Sequence, residues 1–517
     1  MVPKFLALAL LVLCGCSSES SSAGQPPSSG GVTLPDYFAV INSGDMAEFV
    51  ALDGSARGPI ADSFNFPGFL SRSGHLSGDG SLFIGTFHQP VRAFLFRVGG
   101  GGVGLFSHSL ADSVSGVHWA PKGDTALLHY STSQSTFDTY LAKNTSPYSQ
   151  QINPTDHLFV FEGWSRDGSM LAVRDFDTAL NTITLKVLSS TGVPLTDLES
   201  GGAYTGQGVT WAQDYMAYPV ERDFAGTPYV ALNQFTQSTG SSDLLLAPGL
   251  AYQGSRYSPD GSWLAVRYQG QPPQFARGVL LFPQANTANP IDFVQSDVDA
   301  NSVRLMDWSP DGNRIALVYA GAISGTSELS GQRLALCGTD GIQQRILQDP
   351  PVGSTIQGLA WSPSGRYLAF NSDHQLGGEQ KLYLVDTAGS LLPVLLPAAA
   401  VGRATDLLWS GDSEWLYSRH FSGFDEFLVG TQLPDPTGYE VLADNVNGSQ
   451  SAYPALQGTP GRPGVVFVRR DTATNSDEVI YLEGSNPSGQ VTLTQPSQAG
   501  QQIRVGQLWV RGPTSGL

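Results

Sequence analysis

The sequence predicts an all-β fold, a closed ring of four-stranded antiparallel sheets, and three observations carry that expectation. A short aromatic-plus-turn phrase recurs along nearly the whole chain, apolar runs of strand length follow its copies, and no stretch keeps a helical period. Glycine and proline, 60 and 33 of 517 residues, supply the turns that so many strands require.

The clearest copy is Trp308-Ser309-Pro310-Asp311-Gly312. The others are Leu76-Ser77-Gly78-Asp79-Gly80, Trp119-Ala120-Pro121-Lys122-Gly123, Trp164-Ser165-Arg166-Asp167-Gly168, Trp211-Ala212-Gln213-Asp214, Tyr257-Ser258-Pro259-Asp260-Gly261, Trp361-Ser362-Pro363-Ser364-Gly365 and Trp409-Ser410-Gly411-Asp412, with a worn ninth near Leu456. Their first residues lie 43, 45, 47, 46, 51, 53, 48 and 47 apart, the period of propeller blades. Proline presets φ, Asp or Ser bonds back to the backbone and Gly accepts positive φ, so the four residues after the aromatic close a tight turn. A strand reverses there, as Trp263 to Val266, Ile315 to Tyr319 and Tyr367 to Phe370 show by their apolar runs. Second runs follow, such as Val279 to Phe282 and Leu334 to Cys337, then a shorter third, so each repeat reads as a four-stranded meander.

A sheet that is apolar on both faces must stack on neighbours, and a ring gives every sheet two. The expected fold is therefore a single large β-propeller, with Trp119, Trp164, Trp211, Tyr257, Trp308, Trp361 and Trp409 wedged between blades. Nine copies give nine blades. Tyr37 to Ile41, Ala47 to Leu52 and Pro59 to Phe64 read as three strands with no copy before them, and Ile503 to Val510 as a first strand with nothing after it. Pairing the two ends would make a tenth blade and remove two open edges; eight or nine blades stay open if a degenerate copy is not a blade.

The Trp-Ser-Pro-Asp-Gly phrase followed by an Ile-Ala-Leu or Leu-Ala-Phe strand resembles the TolB-type propeller repeat, over about residues 65 to 510. The resemblance implies fold rather than function, because that repeat serves binding modules and the non-catalytic propellers of prolyl oligopeptidase-like enzymes alike. The chain departs from TolB itself, having no α/β domain before its strands.

Domain organisation reads as a signal peptide over 1–15, a tether over 16–35 and the propeller over 36–517. Lys4 followed by Phe5 to Leu13 is a short cationic and apolar leader. Its end, Leu13-Cys14-Gly15-Cys16, resembles a bacterial lipobox, which implies lipidation at Cys16, with Cys14 second in line. Several acyl chains on one residue would anchor the chain stably, and Ser17 in place of Asp resembles sorting to an outer membrane. The Ser, Gly and Pro rich stretch from Ser17 to Pro35 reads as a flexible tether. Cys337, in an apolar strand, reads as buried and inert.

With 45 acidic and 27 basic side chains the net charge is −18, which disfavours nucleic acid and leaves the lipid anchor as the only membrane contact. There is no Gly-x-Ser-x-Gly nucleophile elbow, and the eight histidines show no zinc spacing. Gly99 to Gly104 lacks the Lys-Ser/Thr of a phosphate loop and reads as a hairpin linker. Asp175-Phe176-Asp177 and Asp297-Val298-Asp299 each offer two carboxylates to Ca²⁺ but lack an oxygen-rich loop with Gly. No metal or cofactor is expected.

One pattern marks a candidate functional face. Where the second strand of a blade leaves for the third, several repeats carry Arg beside an acid or an aromatic: Arg174-Asp175, Arg222-Asp223, Arg267-Tyr268, Arg419-His420 and Arg470-Asp471. On the ring face opposite the turns, such groups could bind carboxylates at the channel mouth; equally, each Arg could pair with its neighbouring Asp and cap a strand end. The expected function is a lipid-anchored, monomeric binding or scaffold module for an envelope protein, peptide or polysaccharide. The alternative is an enzyme that processes a polysaccharide or peptide with channel carboxylates such as Asp307 and Asp406.

Overall fold

The computed structural model describes residues 34–511, apart from 43–45, 63–73, 89–90, 100–101, 108–110, 122–124, 133–136, 146–148, 201–207, 225, 271–276, 285–286, 294–299, 322–330, 348–350, 375–379, 399–401, 424, 445, 447–455, 460–461, 472, 474, 485–488, 495–504 and 506. Cys14, Cys16, most of the tether and Asp297 to Asp299 lie outside the described residues.

Forty strands form ten four-stranded antiparallel sheets, arranged as a β-propeller. In nine of them the strands are consecutive, and blades 2 to 10 span 75–107, 111–151, 157–200, 210–244, 250–293, 300–347, 356–395, 403–444 and 456–492. Blade 1 is built from both ends of the chain: Gln507–Arg511 pairs with Phe38–Asn42, which leads to Met46–Ala51 and Arg57–Asp62. The expected closure is present, in the register Val40 opposite Trp509. Of the glycines expected to form a hairpin linker, Gly99 follows the strand Val91–Arg97 of blade 2, Gly102 and Gly104 are paired within the next strand, Gly102–Ser107, and Gly100 and Gly101 lie outside the described residues.

The core is not one mass but ten wedges among the described residues. Each apolar cluster lies between neighbouring blades; Leu281 and Phe293 of blade 6 pack on Trp308, Ile315 and Leu317 of blade 7, for example. Val466 and Tyr481 of blade 10 pack on Ala39 and Val50 of blade 1, and Val40 and Phe49 of blade 1 on Phe83 and Phe96 of blade 2, which closes the ring. Cys337 is fully buried in the blade 6–7 wedge, and burial pushes its thiol well above the usual range.

The aromatic of the repeated phrase ends the first strand of its blade and reaches back to the blade before. Trp119, Trp164, Trp308, Trp361 and Trp409 donate their indole N–H to the carbonyls of His75, His118, Arg256, Asp307 and Ala360, at 3.0 to 3.2 Å. Each acceptor is the residue just before the preceding copy's first position, so a ladder of the same bond ties blades 2 to 4 and blades 6 to 9 in sequence. Trp211 breaks it: its ring lies against Gly163, and its N–H has no partner among the described residues.

The turn behind each aromatic satisfies itself. Ser309 Oγ accepts the N–H of Arg314 at 3.0 Å and donates to Asp311 at 2.6 Å, and Asp311 accepts the N–H of Asn313 at 3.1 Å. The same bonds recur around Ser165, Ser258 and Ser410. Burial works against ionisation of Asp167, Asp260 and Asp311, but the hydroxyl and amide donors outweigh it and hold these carboxyls below the usual range. Gly312 takes φ 71°, and a Cβ there would meet Asp260 Oδ1 of the preceding turn at 3.0 Å. In blade 9 Ser413 holds that slot at φ 67°, and its hydroxyl accepts the N–H of Ser364 from blade 8 at 2.9 Å.

Candidate functional site

First strands of neighbouring blades touch one another from blade 4 to blade 6 and from blade 8 round to blade 1, as strands on the inner wall of a ring do. Six first strands carry a β-bulge that puts one extra residue on this wall: Ser115, Glu162, Gln253, Arg304, Gln357 and Asp406. All six are polar. A bulge breaks the alternation of faces, so a side chain that would point into a wedge can be re-aimed. In blades 6, 7 and 9 the second-strand residue ten positions after the aromatic stands beside the bulge, and in blade 4 it stands one pair further along, opposite Val160.

In blade 4 that residue is Arg174, whose Nε lies 3.0 Å from the bulge carboxylate of Glu162, with its guanidinium over Phe176 at 5.5 Å. In blade 9 it is Arg419, 2.5 Å from Asp406 and 3.6 Å from Glu426. Arg222 of blade 5 pairs with Glu199 of blade 4 at 3.0 Å, and Arg470 with Asp477 of the following strand at 2.9 Å. Each of these arginines has an acid partner other than the Asp or His that follows it. Adjacent strand residues point to opposite faces, so Asp175 turns away to His157 and Lys186, both at 2.8 Å. Asp223 and Asp471 instead accept the N–H of Gly226 and Ala473 in their hairpins. His420 is buried against Ser418 Oγ at 2.8 Å, and burial pulls its pKa down to about 4.

Blade 6 differs. Arg267 sits opposite Gly254, and its two terminal nitrogens donate to carbonyls, Gln253 at 2.8 Å and Val303 of blade 7 at 3.0 Å. Gly254 takes φ 144°, and a Cβ there would lie 2.6 Å from Nη2, so only glycine lets the guanidinium lie flat. Blade 7 reverses the pattern: the second-strand slot is the buried apolar Val318, and the cation is the bulge residue itself, Arg304. Arg304 is exposed and has no ion-pair or hydrogen-bond partner among the described residues.

Arg256, Arg267 and Arg304 converge on a cavity of about 510 Å³ across the inner strands of blades 5, 6 and 7. Its apolar wall includes Val209, Leu305 and Met306. Arg256 is bound to Asp307 at 2.8 Å, and burial pushes Asp307 up against the pull of that guanidinium. Of the arginines singled out from the sequence only Arg267 lines this cavity; the others lie in blades 4, 5, 9 and 10, while Asp307, the candidate channel acid, meets it through Arg256. Arg256 and Arg304 escaped sequence reading. The available signal was offset: Ser115, Gln253, Arg304 and Gln357 all stand four residues before their aromatic. Among the described residues no group of three or more His, Cys, Asp or Glu side chains is placed to hold a metal ion.

No family profile matches the chain, and no curated protein matches it in sequence. Solved structures do match in fold. A eukaryotic initiation factor has a TM-score of 0.48 at 13% identity, over 79% of this chain and 96% of that one. Dipeptidyl peptidase 4 from Porphyromonas gingivalis reaches 0.45 at 12% identity, over 80% and 64%. TolB from Acinetobacter baumannii reaches 0.27 at 14% identity, over 69% and 82%. The chain is a ten-bladed β-propeller whose structural neighbours include TolB and propeller peptidases. Likeness at this level concerns fold and says nothing of activity.

Proposed function

We propose that the protein is a non-catalytic binding propeller of the cell envelope, tethered to the outer membrane through Cys16 and taking a protein, peptide or glycan partner at the channel mouth. The observation that carries this reading is the contrast between acids and bases on the inner wall. Asp307 and Asp406, the acids an enzyme would need, stand on blades 7 and 9 with blade 8 between them, and each is held by its own arginine. Paired-acid hydrolysis needs two carboxyl groups about 5 to 9.5 Å apart across one substrate site. By contrast, Arg304 offers an open cation to a ligand.

The test uses the full lipidated chain. Crosslinking in the intact envelope, read by mass spectrometry, is expected to recover the same partner from wild type and from an Asp307→Asn, Asp406→Asn double variant. Peptide and polysaccharide panels incubated with the purified protein are expected to yield no product. Product formation that the double variant abolishes would replace the binding reading with the enzymatic one.

A further inference from the structure

The inner wall holds one inversion, and it defines a ligand chemistry. In blades 4 and 9 a second-strand arginine is matched by a bulge acid of its own blade, Glu162 or Asp406. In blade 6 Arg267 is matched by two carbonyls. Blade 7 has Val318 where the arginine would stand and Arg304 where the acid would stand. With Arg256, Arg267 and Arg304 set against Asp307, the described residues at the cavity carry two net positive charges in a chain whose net charge is −18. The field there runs against that of the molecule, which concentrates anions at the site.

The wall beside these charges narrows the choice. Val209, Leu305 and Met306 are aliphatic, and Leu305 is 36% exposed. Tyr252 is the cavity's one aromatic among the described residues; it is buried, with its hydroxyl turned to Ser255 Oγ at 3.1 Å. The open aromatic face on which a sugar ring stacks is not offered among the described residues. A carboxylate next to an aliphatic side chain matches both halves of the cavity, whose volume of about 510 Å³ suits a short segment.

We propose that this cavity binds a peptide carboxylate, with Arg304 as the primary anion contact, Arg267 fixed behind it by its carbonyl bonds, and Leu305 and Met306 holding an adjacent apolar side chain. This rests on the binding-module reading and names the ligand class of that module. The carboxylate could be a chain terminus or an acidic side chain, and the experiment separates them.

The experiment measures fluorescence anisotropy with the full mature chain and three dansyl peptides: Gly-Gly-Ala-Leu with a free terminus, its C-terminal amide, and an amidated Gly-Glu-Leu-Gly. Saturable binding of a carboxylate-bearing peptide is expected, about tenfold weaker for the amide of Gly-Gly-Ala-Leu or for Arg304→Ala, and weakened by salt. Preference for the free terminus assigns a chain end; preference for the Glu peptide assigns a side chain. Arg403→Ala, which removes an exposed inner-strand arginine of blade 9 bonded to Gln357, is expected to change nothing. Equal binding of all three peptides, no binding of any peptide, or equal loss in the Arg304 and Arg403 variants would overturn the proposal. Crosslinking then separates this failure from that of the module reading: a partner recovered equally by wild type and Arg304→Ala leaves a binding propeller with its site elsewhere, whereas no partner from either defeats both.

Discussion

Within blade 7 the turn after Trp308 and the bulge four residues before it are built on opposite terms. In the turn, the Ser309 hydroxyl, the Asp311 carboxylate and the backbone amides they face all find partners within the same few residues. At the bulge, Arg304 extends from the inner wall with no partner among the described residues. The turn recurs with the same bonds in blades 2, 4, 6 and 9, while the bulge carries Ser, Glu, Gln, Arg or Asp in different blades. Where a repeat satisfies its own polar groups it can be copied as structure. Where it leaves them open, copies are free to diverge toward a ligand.

The largest effect that would break this comparison comes from closure, which neither region supplies. Removing residues 503–517 takes the inner strand from blade 1 and exposes the edge of Phe38–Asn42; size-exclusion chromatography is expected to show association in place of a monomer. Next is Trp308→Ala, which empties a blade 6–7 wedge and deletes one bond of the indole ladder. Urea unfolding is expected to show a loss of about 3–5 kcal/mol.

A pH effect follows. His75, His129 and His420 are held near pKa 4 by burial, with the charge of His118 adding to it at the first two. Above pH ~6.5 these side chains are neutral in both folded and unfolded chains. Between about 6.5 and 4 only the unfolded chain takes up the protons, so stability falls with pH by about 1.4 kcal/mol per unit for each histidine, and His420→Gln is expected to flatten the measured slope by one such share.

The two smallest effects set the regions side by side. Ser309→Ala leaves the Arg314 amide without its hydroxyl acceptor and is expected to cost about 1–2 kcal/mol in urea unfolding. Arg304→Ala, five residues earlier, is expected to stay within about 0.5 kcal/mol of wild type, since it removes no bond. Equal costs would erase the distinction between structural turn and open bulge.

What the sequence made legible follows the same line. Turn residues are dictated by backbone geometry, so the copies, the ten blades and the pairing of the two ends could be read from residue types alone. The partners of the arginines could not. Arg222 reaches Glu199 across a blade boundary, and Arg174 reaches Glu162 across a strand pair; both depend on register, which the bulges shift by one residue. Arg304 stayed hidden because nothing near it in sequence signals an inverted slot; Val318, which makes it informative, is 14 positions away.

The pairing of Phe38–Asn42 with Gln507–Arg511 also bears on how the molecule is made. These segments sit almost at opposite ends of the sequence, so the contact that seals the ring is the most distant in chain order and forms after every interior blade has been synthesised. Each of those blades can assemble from local hairpins, while the seal waits on a search over nearly the entire chain. Until then Phe38–Asn42 presents a bare edge, and a chaperone that shields it would act on the slowest step of folding.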